Sequence, residues 1–162
     1  KDVPTPHTQS CSDQSKGVLM SVWDDGYGIS VPKKFQTVKE SISKALAGFQ
    51  REEGTNGLLM YRVRGWDYPA LVASYEDAVK QCRERHVPVL VHVEEVTQPQ
   101  GHSTSGSHER YKSEDRLAWA KEFDCIAQFG HFLVQEGTAT EEELQAIRKE
   151  ANKTNAPDAR PS

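Results

Sequence analysis

The first chemistry legible in this chain lies in Trp23-Asp24-Asp25-Gly26-Tyr27-Gly28-Ile29-Ser30. Carboxylates followed by small residues let a backbone approach a ligand closely, and a hard cation such as magnesium takes an octahedron of oxygens from carboxylate, carbonyl and phosphate. A plain Asp-Gly turn would show the same residues. The second candidate stretch is Gln98-Pro99-Gln100-Gly101-His102-Ser103-Thr104-Ser105-Gly106-Ser107-His108. A histidine beside glycine, among hydroxyls, can exchange a proton near neutral pH and can hydrogen-bond a phosphate. A solvated linker with two incidental histidines is the competing reading. His7, His86, His92 and His131 have no ligand-like spacing and read as structural or surface residues.

The elements around these stretches give them positions. Val18 to Trp23 is an apolar run that stops at Asp24-Asp25-Gly26, as a buried strand ending in a tight polar loop does. From Thr37, the spacing of Val38, Ile42, Ala45, Leu46 and Phe49 predicts a helix, ended by Gly48 and the Gly54-Thr55-Asn56-Gly57 cluster. Leu58 to Val63 reads as a strand closed by Gly65. An amphipathic helix follows, with Pro69 in its first turn and Val72, Tyr75, Val79 and Cys82 on one face. Val89 to Val93 is another buried strand, its valines suited to the pleat.

Strand, helix, strand, helix, strand implies a parallel sheet covered on both faces. Both candidate stretches would then leave the sheet's carboxyl edge, where ligands bind in such folds. Residues 97–112 are too long and too polar for a simple connector. Beyond them, Ser113 to Glu122 looks helical, Ile126, Phe129 and Leu133 mark another helical face, and Thr140 with Glu143 matches a capping box opening a last helix.

The 162 residues suffice for one domain with a real core. The 20 basic and 24 acidic residues are interspersed and give a net charge of −4, which argues against nucleic acid or an anionic membrane as partner. No apolar run reaches the roughly 18 residues of a membrane span, and Lys1 to Ser15 lacks the apolar centre of a signal peptide, so a soluble intracellular protein is expected. Cys11, Cys82 and Cys125 have no metal-like or redox-like spacing; Cys82 and Cys125 read as small buried hydrophobes on helices.

Taken in order, Asp-Asp-Gly-Tyr-Gly-Ile-Ser-Val-Pro at 24–32, Val-Pro-Val-Leu-Val-His-Val at 87–93 and Gly-His-Ser-Thr-Ser at 101–105 resemble one family. It is the alpha-type half of the decarboxylating component of thiamin-diphosphate-dependent 2-oxoacid dehydrogenases, and the likeness is greatest to bacterial forms with alpha-type and beta-type halves on one polypeptide. It runs from about Val18 to Asn155. The resemblance implies a partial α/β thiamin-diphosphate-binding fold: a parallel sheet with helices on both faces, then C-terminal helices. The expected organisation is a poorly ordered or non-family segment at 1–17, the diphosphate-half domain at 18–156 with an active-site loop at 97–112 and helices at 113–156, and a tail at 157–162.

In that family a Gly-Asp-Gly element and a later Asn-Asn doublet hold magnesium and the cofactor diphosphate, and Asp24-Asp25 stands here for the doublet. The resemblance therefore implies that Asp25 gives a side-chain oxygen to magnesium, that Tyr27 gives its backbone carbonyl, and that Gly28 and Ile29 pass along thiamin diphosphate. Asp in place of Asn adds negative charge. His102 would enter the active site, hydrogen-bond near the cofactor and help transfer the acyl group to a lipoyl arm. Ser103 matches a position phosphorylated in mitochondrial relatives, Tyr111 a tyrosine that orders the loop, and Asp67 in Trp66-Asp67-Tyr68 a helix N-cap.

The 23 residues before Asp24 contain no Gly-Asp-Gly, so a fragment or a partly divergent gene product is expected. The implied partners are a beta-type half supplying the activating glutamate, a lipoyl-bearing acyltransferase component and a 2-oxoacid, within a dimer or heterotetramer. The implied compartment is the cytoplasm, or the mitochondrial matrix in a eukaryote. Two other readings share the residues: transketolase-like carbon transfer, and a non-catalytic assembly domain that has lost cofactor binding.

Overall fold

The structure, a computed structural model, describes residues 17–98 and 107–154. The segments 1–16 and 155–162 and the centre of the polar loop, with Cys11, His102 and Ser103, lie outside the described residues.

Three parallel strands form the sheet in the order β1-β5-β4: β1 is Leu19–Trp23, β4 is Leu59–Arg64 and β5 is Val89–Glu94. Leu19 and Leu59 both sit in register with Val89, and Trp23 and Val63 with Val93, so all three strands end at one rim. Two short antiparallel strands, β2 (Tyr27–Gly28) and β3 (Val31–Pro32), make a separate hairpin beyond that rim.

Burial explains why β5 is central. Val89, Val91 and Val93 are fully buried and pack with Val63, Ala78 and Cys82. Ala78 and Cys82 belong to α2, Tyr68–Arg85, which crosses from β4 to β5. Alternation along a strand turns Leu90 and His92 to the opposite face, where they are 2% and 0% exposed. Asp67 caps α2 by accepting the Ala70 N–H at 3.1 Å, as expected from the sequence, and His86 ends the helix in the left-handed conformation.

The helix expected from Thr37 is not continuous. Only Ile42–Ala45 (α1) is α-helical, flanked by 3₁₀ turns at Val38–Glu40 and Ala47–Phe49. Lys39 and Glu40 take positive φ (55° and 56°), which breaks the helical path. Val38 and Phe49, two of the residues that set the periodicity, are 72% and 63% exposed. A short helix needs a packed face to hold it, and this spacing finds none at its two ends. The second face of the sheet therefore carries α1 and irregular turns in place of a long crossover helix.

Three helices follow the polar loop: α3 (Glu114–Glu122), α4 (Cys125–Gln135) and α5 (Glu141–Thr154). Ser113 caps α3 and Asp124 caps α4. The capping box of α5 is formed in both directions, Glu143 accepting the Thr140 N–H at 2.8 Å and Thr140 accepting the Glu143 N–H at 3.2 Å. Cys82 is buried on α2, as expected, whereas Cys125, the first residue of α4, is only partly covered. Among the described residues, no helix is long and apolar enough to cross a membrane.

Candidate functional site

The loop between β1 and β2 is tied to the sheet at both ends. The Asp24 N–H donates to the Val93 carbonyl at 2.8 Å and the Asp24 carbonyl accepts the Val96 N–H at 3.1 Å, so this loop and the segment leaving β5 share the rim. Within the loop, Asp24 Oδ1 accepts the Gly26 N–H at 2.8 Å and Asp25 Oδ1 accepts the Tyr27 N–H at 3.0 Å. Gly26, between the two side-chain turns, has φ 86°, a conformation that glycine takes at no steric cost. The Gly26 carbonyl then accepts the Lys33 N–H at 2.9 Å, closing the hairpin. At its tip Ile29 has φ 59°, a rare conformation for a β-branched residue.

Asp24 is committed to structure. Its Oδ2 receives Lys33 Nζ at 2.7 Å and His92 Nε2 at 3.1 Å. Burial opposes ionisation, but the hydrogen bonds from His92, Lys33 and the Gly26 N–H together hold the carboxyl well below the usual carboxylate range. Asp24 is thus a fixed anion inside the loop. Asp25, one residue on, lines the adjoining cavity.

That cavity, about 260 Å³, is bounded by Asp24, Asp25, Gly26 and Tyr27 on one side and by Lys33, Lys34 and Arg116 on the other, with Pro32 and Glu95 completing it. Arg116, on α3, donates from Nη2 to the Asp25 carbonyl at 3.3 Å. Lys112 is 8% exposed; its ammonium lies 5.1 Å from the Tyr27 ring centroid, and the Tyr111 ring lies 5.7 Å from that of Tyr27. Burial first, then the nearby Arg116, lower the Lys112 pKa, while Asp25 opposes them. The lining carries three cations, Lys33, Lys34 and Arg116, and three carboxylates, Asp24, Asp25 and Glu95, with Lys33 already paired to Asp24, so a ligand there meets charge of both signs, as an anion bound together with a metal cation would require.

Of the residues expected at the site, Asp25, Tyr27, Gly28 and Ile29 come together in this hairpin. His102 lies outside the described residues, but 107–112, which follow it, reach the hairpin through Tyr111 and Lys112. Gly28 is crowded: a Cβ there would collide with the Gln36 side-chain amide, so that amide fills the approach which its lack of a side chain opens. Among the described residues there is no group of three or more His, Cys, Asp or Glu side chains able to hold a metal ion. Asp25 and the Tyr27 carbonyl could supply two oxygens to a hard cation whose other ligands are phosphate and water, a common arrangement for magnesium.

The sequence reading missed Lys33, Arg116, Lys112 and the role of His92. Lys33 carried a signal, a cation directly after the hairpin that would neutralise a carboxylate. His92 carried one also, since an imidazole inside a run of buried valines must find partners for both nitrogens. Arg116 gave none, being brought to the loop only by the fold.

A family model described as Dehydrogenase E1 component matches residues 15–157. Over 114 residues the chain is 35% identical to the pyruvate dehydrogenase E1 component subunit alpha of Rhizobium meliloti (strain 1021), which covers 68% of this chain and 32% of that protein. Over 132 residues it is 30% identical to the mitochondrial 2-oxoisovalerate dehydrogenase subunit alpha of Macaca fascicularis, covering 80% of this chain and 28% of that one. The Homo sapiens protein of the same name is 29% identical over 132 residues. The chain spans about a third of the length of the curated relatives it matches. Matched along nearly all of its own length, the chain belongs to the dehydrogenase E1 component family.

Proposed function

We propose that this chain is the diphosphate-holding part of the decarboxylating component of a 2-oxoacid dehydrogenase complex, whose reaction is oxidative decarboxylation of a 2-oxoacid with acyl transfer to lipoamide. One observation carries the reading: the Asp25–Tyr27 backbone and the cations Lys33, Lys34 and Arg116 surround one cavity at the carboxyl rim of the sheet. Asp25 and the Tyr27 carbonyl would hold magnesium, and Lys34 and Arg116, with Lys33 already paired to Asp24, would face the diphosphate. Gly28 and Ile29 would lie along thiamin diphosphate once the Gln36 amide has moved aside. When bound, thiamin diphosphate supplies the electron sink for decarboxylation. His102, from the polar loop, would hydrogen-bond near it and assist acyl transfer.

The reading also assigns partners and a compartment. A beta-type half, on the same or another chain, would complete the site within a dimer or heterotetramer, and a lipoyl-bearing acyltransferase component would accept the acyl group. The compartment would be the cytoplasm, or the mitochondrial matrix in a eukaryote.

Calorimetric titration with thiamin diphosphate and magnesium, on this chain alone and mixed with a beta-type partner, tests the proposal. Magnesium-dependent heat in either arrangement supports it. Absence of heat in both would overturn it in favour of a non-catalytic assembly domain. Turnover with a sugar phosphate acceptor and none with a lipoyl domain would point to transketolase-like transfer.

A further inference from the structure

We infer that His92 is a positioning residue for the Asp24–Asp25 loop, its buried imidazole fixing the Asp24 carboxylate that in turn sets the Gly26 and Tyr27 backbone. The inference rests on the reading of that loop as the diphosphate site. His92 stands in the middle of β5, 0% exposed. Its two ring nitrogens reach in different directions: Nε2 to Asp24 Oδ2 at 3.1 Å, and Nδ1 to the Ser43 hydroxyl, on α1, at 2.5 Å. An ionised carboxylate only accepts, so the Nε2 proton points at Asp24, and in a neutral ring Nδ1 accepts the Ser43 proton. One side chain on the central strand thereby joins the site loop to the turn covering the second face of the sheet.

Asp24 needs this contact more than it needs Lys33. Both bind the same oxygen, but the Lys33 side chain is 33% exposed on a flexible stem, whereas the imidazole is sealed with two torsions to fix. The carboxylate plane held by His92 aims Oδ1 at the Gly26 N–H. If that plane rotates, the first of the two loop turns opens, and the second, from Asp25 to the Tyr27 N–H, loses its base. Glu94, whose Oε1 lies 3.7 Å from Nδ1, is engaged by Arg62 and does not replace Asp24.

Space filling alone would also bury a histidine, and two substitutions separate the roles. Glutamine at 92 can place its amide nitrogen near the position of Nε2 and keep the Asp24 link. Asparagine can reach only toward Ser43. Amide hydrogen exchange of Gly26 and Tyr27, measured by NMR in the 162-residue chain, reads the loop without any cofactor. His92→Asn and His92→Leu are expected to lower protection of Gly26 by about tenfold or more, as for one lost charge-assisted hydrogen bond, while His92→Gln stays within about threefold of the unmodified chain.

Equal loss in His92→Gln and His92→Asn, or no loss in either, overturns the inference. Should the variants fail to fold, the ring itself decides in the unmodified chain. A ¹⁵N-resolved proton on Nε2, protected from exchange, supports the inference, and an unprotonated Nε2 overturns it. Thiamin diphosphate binding, titrated with magnesium on the same samples, keeps the two readings apart. Gly26 protection that follows His92 in a chain that binds no thiamin diphosphate upholds the positioning role and removes the diphosphate site. Unchanged protection with normal binding removes the positioning role alone.

Discussion

Replacing Asp24 by asparagine keeps the shape of the side chain and removes the charge that gathers the loop. Its partners are unequal. His92 is fully buried and loses its only carboxylate acceptor within 3.5 Å among the described residues, worth about 2 kcal/mol for a bond to a charged group. The Lys33 pair is 33% exposed on the lysine side, so solvent screening reduces its share to about 0.5 kcal/mol. The Gly26 N–H can still donate to the asparagine carbonyl oxygen and adds little. The sum is about 2.5 kcal/mol, which at a urea dependence of about 2 kcal/mol/M lowers the unfolding midpoint by about 1.2 M.

The pH dependence carries a sign that can be checked. The folded carboxyl ionises well below its unfolded value of about 3.9, so its contribution is complete above that value and disappears as pH falls toward the folded one. The gap between the unmodified chain and Asp24→Asn should narrow as pH falls below about 4. Urea titrations followed by tryptophan fluorescence measure both. A midpoint shift under about 0.3 M at pH 7, or a gap that widens as pH falls below about 4, would refute the reasoning.

Asp25→Ala, which removes the acceptor of the Tyr27 N–H within the loop, should weaken magnesium-dependent thiamin diphosphate affinity by about tenfold or more. Equilibrium dialysis reads the affinity, and unchanged retention takes Asp25 out of the proposed metal site. In a complete enzyme, His102→Ala should slow acyl transfer to a lipoyl domain far more than it weakens cofactor binding; equal loss in both, by stopped-flow and titration, contradicts the role proposed for it. Thr140→Ala breaks one arm of the capping box and should destabilise α5 by about 1 kcal/mol, visible as fraying of its first turn by hydrogen exchange, with thiamin diphosphate affinity unchanged.

What could be read from the residues alone divides along physical lines. The three strands, α2 and its Asp67 cap, and the α5 capping box rest on local pattern, and they stand in the structure where the pattern puts them. The tight polar loop after Trp23 was equally local, because a strand that stops at Asp-Asp-Gly must turn, whereas its closing into a hairpin of β2 with β3 was not read. The stretch from Thr37 misled because periodicity states which residues could share a face and says nothing of a surface to bury it. Arg116 was illegible because 91 residues separate it from Asp25; the need of His92 for partners shows in the buried run around it, but which residues they are does not, because they lie 68 and 49 residues away. Contacts of that range follow from topology and leave no mark on spacing.

The strand order also dictates when the sheet can exist during synthesis. β5 lies between β1 and β4 yet emerges after both, so Leu19 waits 70 residues for its neighbour Val89. Until then the nascent chain holds two extended segments with nothing to join them, the kind of long-range closure that makes parallel sheets slow to assemble. A ribosome stalled before Val89 would release a product with unpaired β-forming segments, prone to clump with its neighbours.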